Sequence, residues 1–338
     1  MQTFGISGSS PLLRIVGADA ALTKVIMLSP LDFLSDLTNP LLSFLPKALL
    51  VALVCSVVAG VIGSHVVLRG MAFIGDAVAH SVFPGLAVAF LMQGSLLLGG
   101  SIAGLTTAIL VAVVSQNRRL KEDSVIGILF VGAFALGIVI ISRAPGYSGS
   151  LQQFLFGSIT GITDDDIVMV CVAGALVLAL EWAVHKELVT VGLDRETARA
   201  SDLPVFALDL LLYVLVTMTV VISVQVIGNV LVLALLVTPA ATARLLTDRL
   251  GQMMVLAPVI GGFSALVGLY LSWSIDLPAG GTIVLVATAV FLACWLVAPR
   301  GLLALRLDCT APHHRHARVA DDTHRAHLEV GLHVTDPQ

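Results

Sequence analysis

Two ionisable residues stand four apart in an otherwise apolar stretch, Gly75-Asp76-Ala77-Val78-Ala79-His80-Ser81-Val82-Phe83-Pro84-Gly85. On a helix that spacing puts both side chains on one face, one turn apart. A carboxylate oxygen and an imidazole nitrogen so placed can bind one divalent cation together. Charge inside a membrane span costs roughly 3 kcal/mol on insertion scales, so the pair points to a function. Pro84 has no N–H and leaves the His80 carbonyl without its helical partner. Gly75 and Gly85 bracket the pair with residues that tolerate irregular backbone. Interrupted helices persist at membrane depth where protein or a water-filled path covers them, which is where transporters place substrate sites. A structural ion pair would satisfy the same spacing, but it would not need the flanking glycines and proline.

One such pair supplies two ligands, and a first-row divalent ion takes about four. A two-fold homodimer would bring Asp76 and His80 of both copies to the axis, giving two oxygen and two nitrogen donors. That set suits Mn²⁺, Zn²⁺ or Fe²⁺ better than Ca²⁺ or Cu⁺. His65 is expected as an entry-path residue or as a packed histidine hydrogen-bonded across helices.

The elements that must hold this pair are membrane spans. Of 338 residues 57% are hydrophobic and 12% charged, against roughly 25% charged in soluble domains, and the mean hydropathy is +1.01. Lipid can absorb that excess where a core cannot. The net charge of -4 offers no basic surface for nucleic acid. Three of the four cysteines, Cys55, Cys171 and Cys294, lie in apolar runs, which suits neither a disulfide framework nor a CxxC metal site. A crossing helix needs about 20 apolar residues. The sequence predicts an all-α, polytopic membrane protein with spans near 45–68, 71–92, 95–115, 125–142, 167–187, 206–224, 227–246, 252–273 and 277–298. Splitting 206–246 rests on Gln225, Gly228 and Asn229 alone.

Basic residues set the expected orientation. Arg118, Arg119 and Lys121 follow the third span, His185, Lys186, Arg195 and Arg199 the fifth, and Arg244 and Arg249 the seventh. Nine spans with a cytoplasmic C-terminus put all of these inside. The connection 143–166 is then external and holds an apolar patch at 151–159. Glu181 and Asp209 are expected at the membrane boundaries, reaching toward water. Residues 1–44 read as an N-terminal extension whose true start could be Met27, 45–303 as the permease domain, and 304–338 as a flexible cytoplasmic tail. Six of the nine histidines fall in that tail (His313, His314, His316, His324, His327, His333), a composition compatible with metal binding or with chance.

The stretch Val66-Val67-Leu68-Arg69-Gly70-Met71-Ala72-Phe73-Ile74-Gly75-Asp76-Ala77-Val78-Ala79-His80, continuing to Pro84-Gly85, resembles the signature of the zinc/manganese/iron ABC importer permeases, also called the ABC-3 permease family. A second block, Val226-Ile227-Gly228-Asn229-Val230-Leu231-Val232 through Thr238-Pro239-Ala240-Ala241-Thr242-Ala243, resembles that family's late-helix motif. The resemblance covers about residues 41–303. It implies a homodimeric or paired permease, a separate cytoplasmic ABC ATPase subunit, and an extracytoplasmic metal-binding protein that delivers Mn²⁺, Zn²⁺ or Fe²⁺. It carries the metal-path role onto Asp76 and His80 and implies no permanently bound cofactor. No GxxxxGK[ST] loop occurs in the chain, in keeping with ATP hydrolysis elsewhere. The expected ATPase-docking segment is Asp194 to Pro204, with Asp194, Glu196, Ala198 and Asp202 as its marked positions; the family usually has glycine where Asp202 stands. Pro239 is expected to kink its helix. A siderophore or cobalamin permease would have no use for the Asp-x-x-x-His pair. A secondary carrier should show coupling acids in several helices and an internal repeat.

Overall fold

The computed structural model describes residues 30–39, 42–71, 73–116, 122–142 and 161–297. Among them every regular element is a helix. In chain order these are α1 (Pro30–Asp36), α2 (Phe44–Leu68), α3 (Ile74–Ser81), α4 (Phe83–Leu91), α5 (Leu96–Val114), α6 (Glu122–Ile141), α7 (Asp164–Ala183), α8 (His185–Leu193), α9 (Arg195–Ala200), α10 (Val205–Ile227), α11 (Asn229–Leu246), α12 (Leu250–Ile275) and α13 (Ala279–Val297). Met27, Arg118, Arg119, Lys121, the patch at 151–159 and the histidine-bearing tail lie outside the described residues.

Each of the nine expected segments is helical. Seven helices are long and apolar enough to cross a membrane, with α3 and α4 together forming one span, whereas the apolar parts of α5 and α11 (Leu98–Val114, Leu231–Leu246) are shorter. Connections alternate between two ends of the bundle. One end gathers the links after α2, α5, α7 and α11 and carries Arg69, His185, Lys186, Arg195, Arg199, Arg244 and Arg249. The other holds the start of α2, the α4–α5 link, Gly228 and the α12–α13 link.

The reversal between α10 and α11 takes a single residue. Gly228 sits at φ 83°, ψ 160°, a region open essentially to glycine, so the sequence punctuation there marks a true turn. The fifth span differs from expectation. It starts earlier because Thr163 and Asp166 form a reciprocal capping box, with three aspartates in the first turn, where the helix dipole favours them. It ends at Ala183, where Val184 leaves helical geometry (φ -114°, ψ 15°), and α8 follows with Leu188 and Val191 buried beneath polar neighbours.

Lipid-like surroundings give little hydrophobic drive between helices, so small residues permit close backbone contact instead. A Cβ on Gly63 would lie 1.9 Å from the Leu236 carbonyl oxygen, and one on Gly85 would lie 2.0 Å from the Gly99 carbonyl oxygen. These contacts lock α2 to α11 and α4 to α5. They also correct the reading of Gly75 and Gly85 as sites of irregular backbone. Both lie in helix, and a Cβ on Gly75 would meet a Leu236 methyl group at 2.6 Å. Contact, not conformation, demands glycine there. Within the expected N-terminal extension, α1 packs on the bundle: the Phe33 ring meets Tyr270 and Trp273 of α12 edge-on, at 5.5 Å in each case.

Candidate metal path and coupling segment

The turn that launches α3 is built by glycine. Gly70 adopts φ 70°, its N–H donates to the Val67 carbonyl, and the Met71 N–H donates to the Val66 carbonyl. That paired pattern closes α2 with a left-handed residue, and buried Met71 and Val66 seal it. The chain then enters α3, where every residue except Asp76 and His80 is buried. The two polar side chains therefore open together on one face, 31% and 20% exposed, with His80 Nδ1 3.0 Å from Asp76 Oδ1. His80 Nδ1 also lies 3.0 Å from the Asp76 carbonyl oxygen.

Two aromatic rings from α6 fix the imidazole. Phe130 and Phe134, one turn apart, meet the His80 ring edge-on at centroid distances of 5.1 and 5.0 Å. Val82, between α3 and α4, keeps helical dihedrals (φ -67°, ψ -26°), donates to the Val78 carbonyl and accepts from the Leu86 N–H, so the ladder runs on to Pro84, which removes a donor. The sequence pairing of Asp76 with His80 is thus met in space; the contribution of Phe130 and Phe134 was missed, since aromatic residues in an apolar helix carry no signal of a polar neighbour. Chemically, the pair offers one carboxylate and one imidazole to a cation approaching that open face.

The segment after α7 forms two short helices. Asp194 caps α9: its Oδ1 accepts from the Glu196 N–H at 2.9 Å and its Oδ2 accepts from the Thr197 hydroxyl at 2.5 Å. The Thr197 hydroxyl, followed by the backbone N–H groups of Glu196 and Thr197, holds the Asp194 carboxyl below its ordinary value. Ala198 is fully buried, while Glu196, Arg199 and Asp202 face outward. Asp202 has φ 55°; its N–H donates to the Arg199 carbonyl and the Leu203 N–H to the Ala198 carbonyl. This is the same helix-closing turn as at Gly70, and it explains why glycine suits the position and why aspartate is among the residues that can replace it. Cavities of about 470 and 570 Å³ flank the segment, the first lined by Arg195, Arg199 and Asp209 and the second by Arg69, Asp123 and Asp194.

Glu181 does not reach toward water as expected. Its side chain is 4% exposed and its Oε1 lies 3.0 Å from His65 Nε2 and 2.9 Å from His185 Nδ1. His65 is thus hydrogen-bonded across helices, one of its two expected settings. Asp209 likewise turns inward, to Arg69.

Comparison with known proteins places this architecture. The chain matches the ABC 3 transport family over residues 42–298. It is 41% identical over 262 residues to the manganese transport system membrane protein MntC of Listeria monocytogenes, covering 77% of this chain and 93% of that one. It is 36% identical to the chelated iron transport system membrane protein YfeC of Yersinia pestis, covering 78% and 90%. The solved structure of PsaBC from Streptococcus pneumoniae in complex with Fab aligns with a TM-score of 0.72 at 35% identity, over 82% of this chain and all of that chain. A structure of a putative metal-chelate type ABC transporter in an inward-facing conformation, 20% identical, shares the fold with a TM-score of 0.61. With more than two thirds of its length matched and its helices laid out in the same way, the chain belongs to the ABC 3 transport family.

Proposed function

We propose that the chain is the membrane-spanning subunit of an ATP-binding cassette importer for a first-row divalent metal ion, Mn²⁺, Fe²⁺ or Zn²⁺, and that Asp76 and His80 hold the ion in transit. One observation carries the reading. In a helix whose other side chains are all buried, a carboxylate and an imidazole 3.0 Å apart share the open face. Family membership and the printed functions of the manganese and iron relatives agree with it.

A single chain gives too few donors for a stable site, so two copies meet about a two-fold axis and complete an Asp₂His₂ set. Gly127, one turn before Phe130, agrees with this arrangement: a Cβ there would meet nothing within 4 Å, which leaves that level of α6 open on the side of Phe130 and Phe134. The basic end faces the cytoplasm in this reading, which the distribution of Arg and Lys supports. There α8 and α9 dock into a separate ATPase, with Asp194, Glu196 and Asp202 presented outward and Ala198 anchoring the segment. An extracytoplasmic binding protein delivers the ion at the opposite end.

Transport runs by alternating access. ATP-driven closure of the docked subunits moves α8 and α9, and the linked turn at Arg69–Met71 carries the motion to α3. Ligand protonation competes with the cation, so acidic conditions oppose binding. Uptake of radiolabelled Mn²⁺ by cells lacking the chain and complemented with Asp76→Ala or His80→Ala tests the assignment. Both variants should lose uptake at wild-type membrane abundance; wild-type uptake by both would falsify it.

A further inference from the structure

Only three histidines fall among the described residues, and two of them converge on one buried carboxylate away from Asp76 and His80. His65 comes from the last turn of α2, Glu181 from the last turn of α7, and His185 from the first residue of α8. One ligand atom from each lies within 4.8 Å of the other two. The side chains are 2%, 4% and 32% exposed, so two donors are enclosed and the third opens outward. The two rings stand nearly perpendicular, 77° apart with centroids at 5.7 Å. Neither overlays the other, and both present a nitrogen to the same Glu181 oxygen.

We propose that His65, Glu181 and His185 form a second divalent transition-metal site, a His₂Glu set at the basic end of the bundle. Two imidazoles and one carboxylate are a donor set that Zn²⁺ and neighbouring first-row ions accept, with a fourth position left for water. The exposed side of His185 provides that open position. A buried carboxylate must have its charge answered, and a bound cation would answer it. Glu181 and His185 stand four apart, the spacing at which side chains meet on one helix face, and the two stay in contact across the break at Val184.

An ion held here ties α2, α7 and α8 together. The end of α2 leads through Gly70 into α3, and α8 leads into α9, so the ion bridges the element before the Asp76/His80 helix to the segment assigned to ATPase docking. The chemistry rests on the donor set alone and not on the reading of Asp76 and His80.

The test uses the full chain in lipid nanodiscs with Asp76, His80 and all six tail histidines replaced by alanine, titrated with Co²⁺ alone. The expected result is one Co²⁺ bound per chain, with visible absorption bands of low-coordinate nitrogen–oxygen ligation and a raised melting temperature. Glu181→Gln, which keeps the hydrogen-bonding shape, should weaken binding about 100-fold or more. Should that variant not fold, His185→Ala, at the open edge, should weaken binding at least about ten-fold and abolish the metal-induced melting shift. No stoichiometric Co²⁺ binding by the parent, or equal binding after His185→Ala, overturns the proposal. Because Asp76 and His80 are absent throughout, failure of the transport reading leaves this result unaffected.

Discussion

Arg69 and Asp209, 140 positions apart in sequence, meet with Nη1 2.5 Å from Oδ1 in a largely buried ion pair. Arg195 reaches the other carboxylate oxygen of Asp209 at 3.2 Å from a more exposed position. A single carboxylate therefore joins the turn before α3 to the first residue of α9. Removing one partner of a buried pair costs about 3–5 kcal/mol, because the remaining charge is left unanswered. Asp209→Asn should lower the melting temperature of the purified protein strongly. Arg195→Ala, removing the exposed partner, should cost about 1 kcal/mol or less. Equal losses from the two would refute this ranking.

The rings of Phe130 and Phe134 hold the His80 imidazole in place. Edge-to-face contacts of this kind contribute about 0.5–1.5 kcal/mol, so Phe134→Ala should raise the apparent KM for Mn²⁺ uptake by up to roughly ten-fold. Maximal rate should change little, since neither ligand is removed. An unchanged KM measured over a full concentration series would show that the ring does not position the imidazole.

Backbone contact through glycine predicts a sharp contrast. Gly85→Ala drives a methyl group into the Gly99 carbonyl, whereas a Cβ on Gly251 would meet nothing within 4 Å. Overpacking costs about 1–3 kcal/mol and more where backbone must move. Gly85→Ala should lower folded yield in detergent, and Gly251→Ala should match or slightly exceed the wild type, since alanine is the better helix former.

Asp194 provides the pH-sensitive element of the docking segment. Its folded carboxyl is held below the ordinary value by the Thr197 hydroxyl and two backbone N–H groups. A depressed carboxylate contributes stability that is present above its unfolded pKa and lost as pH falls through the folded one. The cap on α9 should therefore be intact at neutral pH and weaken only in acid below the ordinary carboxylate range. Asp194→Asn, still an acceptor at the cap, should retain most of the metal-stimulated ATPase activity of the assembled transporter. Asp194→Ala should lose much of it. Hydrolysis rates that are alike in both variants would mean that the cap does not support docking.

Much of this architecture can be read in the sequence, for definite reasons. Apolar runs of twenty residues leave few alternatives to helix, and Gly228 alone among its neighbours can take the conformation that turns α10 into α11. The pairing of Asp76 with His80 is local and follows from helical period. Glu181 shows the limit. Its partner His65 is 116 residues away, and no local pattern records a contact made by packing α7 on α2. The start of α8 was hidden for another reason. Val184 breaks the helix without a proline or glycine, so no residue there marks the end of the span.

The helix that carries Asp76 and His80 is short, set between the Gly70 turn and Pro84. It begins after the Gly70 turn and runs eight residues, about 12 Å, to Val82, which keeps helical dihedrals and passes the ladder on to Leu86. Beyond Val82, α4 is clamped to α5 backbone against backbone at Gly85 and Gly99. The ligand pair thus rides on helix continuous with that clamped frame, so a shift of α4 and α5 would carry Asp76 and His80 with it.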